Sequence, residues 1–99
     1  MSDRGERGGG DRPSRTVTIC NRRGLHARAA ARFVKLAETF DAEVVVSKNG
    51  TSVSGLSIMG LMMLAAGPGT AIRVEASGPQ AEEAVAALAA LVTGGFDEE

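Results

Sequence analysis

The sequence predicts an α+β domain in which a four-stranded, antiparallel-type sheet carries three helices on one face. Three observations lead there. Short alternating segments rich in Val, Ile and Thr read as strands. Stripes of apolar residues at helical spacing fill much of the chain between and after them. Strong turn signals, above all Asn49-Gly50 and Gly67-Pro68-Gly69, punctuate the segments. The resulting order is β-α-β-β-α-β-α.

Residues 1–15 mix Arg, Asp, Glu and Gly without periodicity. Such a segment buries too little apolar surface to offset its ordering entropy, so it reads as a disordered tail. Its Arg and Gly content has a faint likeness to RNA-binding segments, but Asp3, Glu6 and Asp11 nearly cancel Arg4, Arg7, Arg12 and Arg15. The folded domain is expected over 16–96, followed by a short acidic end, 97–99.

Thr16 to Cys20 alternates as a half-buried strand with Val17 and Ile19 inward. Asn21 to Gly24 is a polar turn. Residues 27–40 carry a helical stripe through Ala30, Phe33, Val34 and Ala37. Glu43 to Lys48 and Thr51 to Ser54 are strands joined at Asn49-Gly50. Ser57 is a suitable N-cap for a short helix from Ile58 to Leu64 or Ala65. Thr70 to Ala76 alternates again, with Ile72, Val74 and Ala76 on one face. Pro79 suits the first turn of the last helix, Glu82 and Glu83 favour its positive end, and Gly94-Gly95 stop it. The first helix would cross over between two parallel strands in the right-handed sense, with the final strand inserted between them.

Composition narrows the function. Ninety-nine residues support one domain with a modest core. There is no Trp or Tyr, and only Phe33, Phe40 and Phe96 are aromatic. A base-stacking platform is therefore not expected. A net charge of −1 favours neither nucleic acid nor an anionic membrane as partner. The apolar stretches are too short to span a bilayer, and no apolar h-region marks a secretory signal. Cys20 is the lone cysteine, so no intrachain disulfide forms and a reducing cytoplasm is the simplest location. With one His and one Cys, no metal site is expected, and no cofactor is implied.

The one histidine, His26, falls where a loop becomes the first helix, in Gly24-Leu25-His26-Ala27-Arg28. A helix N-terminus presents unpaired backbone N–H groups and positive potential, which suit a dianion. Arg28 in the first turn can add a charge-assisted hydrogen bond to a phosphoryl oxygen. Imidazole is nucleophilic and largely neutral near pH 7, so one His with one Arg is enough for a phosphoryl relay and too little for a hydrolase. Equally, a lone His at a helix start can be a cap or a surface residue, and Arg28 a solvated cation.

At these residues the sequence resembles the histidine-containing phosphocarrier (HPr) family of the bacterial phosphoenolpyruvate-dependent phosphotransferase system, including its nitrogen-branch paralogues. The likeness rests on Gly24-Leu25-His26-Ala27-Arg28-Ala29-Ala30 and on a second block, Ser57-Ile58-Met59-Gly60-Leu61-Met62. It implies an open-faced β-sandwich over about residues 16–95. By the same resemblance His26 carries the phosphoryl group on Nδ1, received from enzyme I and passed to a IIA-type acceptor in sugar transport or nitrogen regulation. Arg28 and the backbone N–H groups of Ala27 and Arg28 would steady it. Ser57 matches the serine that HPr kinase/phosphorylase modifies in some members, though a plain N-cap hydroxyl explains it as well.

Flexible methionines suit an adaptable docking surface, so Ile58, Met59 and Met62 are the expected partner-docking residues. Some methionine of that helix is expected in the core, with Met59 exposed. Ala29 departs from the proline many members have after the arginine, and Leu56 stands where some carry a basic residue. The glycine-rich N-terminal extension has no counterpart in the minimal family pattern. A monomer is the simplest expectation. Two other functions compete with the relay: a non-catalytic regulatory binding module switched by phosphorylation, and a small-ligand sensor on a similar sandwich.

Overall fold

The computed structural model describes residues 12–98. Most of the tail expected over 1–15, and Glu99, lie outside them. Four strands, β1 (Ser14–Thr18), β2 (Glu43–Lys48), β3 (Thr51–Ser54) and β4 (Ala71–Ser77), form one sheet in the order β1-β4-β2-β3. Every pairing is antiparallel, with Val17 opposite Ile72, Val46 opposite Val74 and Val46 opposite Val53. β1 and β2 therefore run in the same direction with β4 between them, as the sequence predicts. Among the described residues three α-helices, α1 (Ala27–Ala37), α2 (Ile58–Met63) and α3 (Ala81–Thr93), complete the open-faced α+β sandwich.

Alternation decides which sheet face is covered. Val17, Val44, Val46, Ile72, Val74 and Ala76 point into the core. There they meet Phe33, Val34 and Ala37 of α1 and Ala84, Val85, Leu88 and Val92 of α3. The opposite face is polar: Glu75 pairs with Arg12 at 2.9 Å and lies 3.6 Å from Arg73. Such exposed pairs add little stability and mark a solvated surface. The Asn49-Gly50 hairpin forms as expected, with positive φ at both residues (51° and 86°), the geometry a two-residue turn requires.

Several boundaries differ from the sequence reading. β1 starts at Ser14, not Thr16, because its pairing with β4 extends to Glu75 and Pro13 O accepts from Ala76 N at 3.1 Å. Ser14 and Arg15 thus belong to the sheet rather than to the tail. Ile19 is past the strand but remains bonded to Thr70 and Gly69. α1 ends at Ala37, and the last three residues of the expected helix form turns. Pro79 lies outside α3, just before its N-cap Gln80; Glu82 and Glu83 do occupy the first turn.

The largest correction concerns α2. None of its methionines is in the core: Met59 is 70% exposed, Met62 43% and Met63 77%. Leu61 alone of this helix is buried. Six residues give one inward position per turn and a half, and Leu61 takes it.

Candidate phosphoryl-transfer site

His26 is the N-cap residue of α1, with extended backbone (φ −82°, ψ −176°), and its side chain makes no capping bond. Its carbonyl already accepts from Ala30 N at 2.8 Å, which starts the helix. The backbone N–H groups of Ala27 and Arg28 have no partner within the helix, because the first turn of any α-helix leaves its donors free. No acidic residue in this turn neutralises the positive end. Arg28 is exposed beside it.

The preceding loop is fixed by close backbone approach. Gly24 has a φ of +66°, and Leu25 N donates to Ala66 O. Asn21, 6% exposed, donates from Nδ2 to Gly24 O at 2.8 Å.

His26 opens into a cleft of about 360 Å³ lined by Arg23, His26, Arg28, Arg32, Asp97 and Glu98. Its side chain is 22% exposed, and Nε2 lies 2.7 Å from Glu98 Oε2. The other carboxylate oxygen of Glu98 accepts from Asn21 Nδ2 at 3.0 Å. These hydrogen bonds, Asn21 first and His26 next, hold the Glu98 carboxyl below its ordinary value. Arg32 donates to the carbonyl of Phe96 and adds a weaker attraction to Glu98. His26 thus occupies the N-cap position without capping through its side chain: the ring faces a carboxylate instead.

Ser57 is the N-cap of α2, and its Oγ accepts from Gly60 N at 2.9 Å. Lys48 Nζ holds the other end of this short helix, donating to Leu64 O at 2.9 Å. Around it Leu56, Ile58, Met59, Met62 and Met63 form an exposed apolar surface. Leu56 and Met63 were not among the docking residues expected from the sequence, nor were Asn21, Arg23, Arg32, Asp97 and Glu98 expected at the site. The acidic run at 97–99 was the only available sign of the last two.

The family described as the PTS HPr component phosphorylation site matches residues 13–94. The chain belongs to the HPr family of phosphotransferase-system phosphocarriers. It is 49% identical over 84 residues to the phosphocarrier protein HPr of Cupriavidus necator, covering 85% of this chain and 94% of that one. It is 47% identical over 85 residues to the phosphocarrier protein NPr of Escherichia coli, with coverage of 85% and 94%. The structure of HPr-C-His from Thermoanaerobacter tengcongensis superposes with a TM-score of 0.84 at 40% identity, over 88% of this chain and 98% of that one. The open-faced sandwich predicted from the sequence is the HPr fold. Among the described residues no helix is long and apolar enough to cross a membrane.

Proposed function

We propose that this HPr-family chain accepts a phosphoryl group on Nδ1 of His26 from phosphorylated enzyme I and delivers it to a IIA-type acceptor in the cytoplasm. The observation that carries this reading is the state of the imidazole. Nε2 faces Glu98 at 2.7 Å, which leaves Nδ1 as the nitrogen available for a new bond. The free N–H groups of Ala27 and Arg28 and the Arg28 guanidinium are the donors for the phosphoryl oxygens. Transfer of this kind needs positioning and charge stabilisation, which these groups supply.

The exposed surface of Ile58, Met59 and Met62 is the docking face for donor and acceptor, since thioethers adapt to more than one partner. Ser57 is the regulatory position. A phosphate there replaces a neutral N-cap by a dianion, which favours the helix but adds negative charge beside the docking face. Near-equal identity to an HPr and to an NPr supports either branch, sugar or nitrogen-related.

The experiment is phosphorylation by enzyme I and labelled phosphoenolpyruvate, comparing the native chain with His26→Ala. Acid-labile label on the native chain alone is expected. Equal label on both would refute His26 as the acceptor. No label on either, with enzyme I competent, would favour the binding-module function, for which the same apolar surface is the working part.

A further inference from the structure

The chain end after α3 is held in a conformation its residues do not favour unaided. Phe96 and Asp97 have φ of 56° and 62°, two successive non-glycine residues in the left-handed region. Such a pair persists only where surrounding contacts over-determine it. Here the Phe96 ring is fully buried, and Arg32 donates to its carbonyl. The reversal brings Glu98 back over the start of α1, 72 residues away in sequence from His26.

Both oxygens of Glu98 are engaged, one by Asn21 and one facing His26 Nε2. Asn21 is buried, and its Oδ1 has no partner among the described residues. Backbone strain of the kind seen at Phe96 and Asp97 gathers at functional sites. The strained turn, the buried amide and the carboxylate converge on one ring nitrogen.

Resting on the carrier reading above, we infer that Glu98 is a positioning residue for phosphoryl transfer at His26. Its carboxylate keeps the proton on Nε2, orients Nδ1 toward the donor and stabilises the charge the ring acquires. In the accepting step the Nδ1 lone pair forms the N–P bond. The bond from phosphorus to the donor atom breaks, and its electron pair stays with the donor. No proton moves. The neutral imidazole becomes a phosphoimidazolium that retains its Nε2 proton, hydrogen-bonded to Glu98. On delivery the N–P electron pair returns to Nδ1 and the ring is neutral again.

A hydrogen bond between two charged partners is stronger than one with a neutral donor, so Glu98 favours the charged state over the resting one. Division of labour follows from the other charges lining the cleft. Arg23 comes from the loop and Arg28 and Arg32 from α1, while Asp97 and Glu98 come from the chain end. The lowered Glu98 carboxyl is ionised at neutral pH, as this role requires.

The test compares the full chain with Glu98→Ala and Glu98→Gln, all labelled with nitrogen-15 in the imidazole. One readout is the Nε2-bound proton, expected as a slowly exchanging downfield resonance in the native chain and lost in Glu98→Ala. The other is transfer from phosphorylated enzyme I. In Glu98→Ala kcat is expected to fall about tenfold, or ~1.4 kcal/mol, with KM for enzyme I unchanged. Glu98→Gln offers one uncharged acceptor oxygen to two donors, Asn21 Nδ2 and His26 Nε2, and should weaken the proton signal and retain only part of the rate. A native kcat in Glu98→Ala, a native rate in Glu98→Gln, or an Nε2 proton equally protected without Glu98 would each overturn the inference and leave the carrier reading standing. No label on the native chain would instead overturn the carrier reading and this role together.

Discussion

Leu25 donates its backbone N–H to the carbonyl of Ala66 at 2.9 Å, joining the loop that carries His26 to the segment leaving α2. Gly24 makes this approach feasible. A Cβ there would lie 2.5 Å from the same carbonyl oxygen, and its φ of +66° disfavours any larger residue. Gly24→Ala should therefore destabilise the fold by about 2–3 kcal/mol, from backbone strain and overlap together. A lower urea midpoint at unchanged m-value checks this. An unshifted midpoint would mean that the two loops separate freely.

Arg28→Ala should leave the melting temperature nearly unchanged, because an exposed side chain of this kind contributes within about 0.5 kcal/mol. Its effect belongs to transfer. Losing a charge-assisted contact to the phosphoryl group should slow acceptance from enzyme I about tenfold. Rapid-quench phosphorylation of native and variant chains measures the difference, and equal rates would remove Arg28 from the site.

Ser57→Ala deletes the bond to Gly60 N and should cost about 1 kcal/mol. Ser57→Asp keeps an N-cap acceptor and should recover most of that stability. It should also raise KM for enzyme I, because it adds charge beside the docking face. Stability and KM that moved together in both variants would argue for a structural role only.

Met59→Ser alters a side chain that is 70% exposed, so stability should change by no more than about 0.5 kcal/mol. Steady-state transfer should show a higher KM with kcat preserved, because docking is lost and chemistry is not. An unchanged KM would place the docking face elsewhere.

The Glu98 carboxyl is lowered in the folded chain from an ordinary value of 4.5, first by Asn21 and then by His26. A lowered acid binds fewer protons folded than unfolded, so its contribution is complete above the ordinary value. It is lost as pH falls through the folded value. The stability difference between native and Glu98→Ala chains should thus be lost in acid, as pH falls through the folded Glu98 value. Denaturant titrations into acid test the sign; a difference that persisted undiminished below the folded Glu98 value would contradict it.

Much of this protein was legible because the relevant physics is local. Alternation in Val44 to Val46 and Ile72 to Ala76, the Asn49-Gly50 turn, and the stripe through Phe33 and Val34 each depend on neighbours a few residues away. The same holds for Ser57 as an N-cap and for His26 at a helix start. Errors fell where neighbours are distant. The true start of β1 depends on pairing with β4, and the methionines of α2 are outside because Leu61 alone meets the core.

By itself, then, the sequence determined the element order, the core faces and the position of His26 at the head of α1, since periodicity and capping are read within one turn or one strand. Only the tertiary structure decided what surrounds the imidazole. The link between Glu98 and His26 spans 72 residues and requires two residues in unfavourable backbone conformations, Phe96 and Asp97. No local preference encodes such a turn; the buried Phe96 ring and the Arg32 bond to its carbonyl hold it in place, and both contacts exist only once the core has formed.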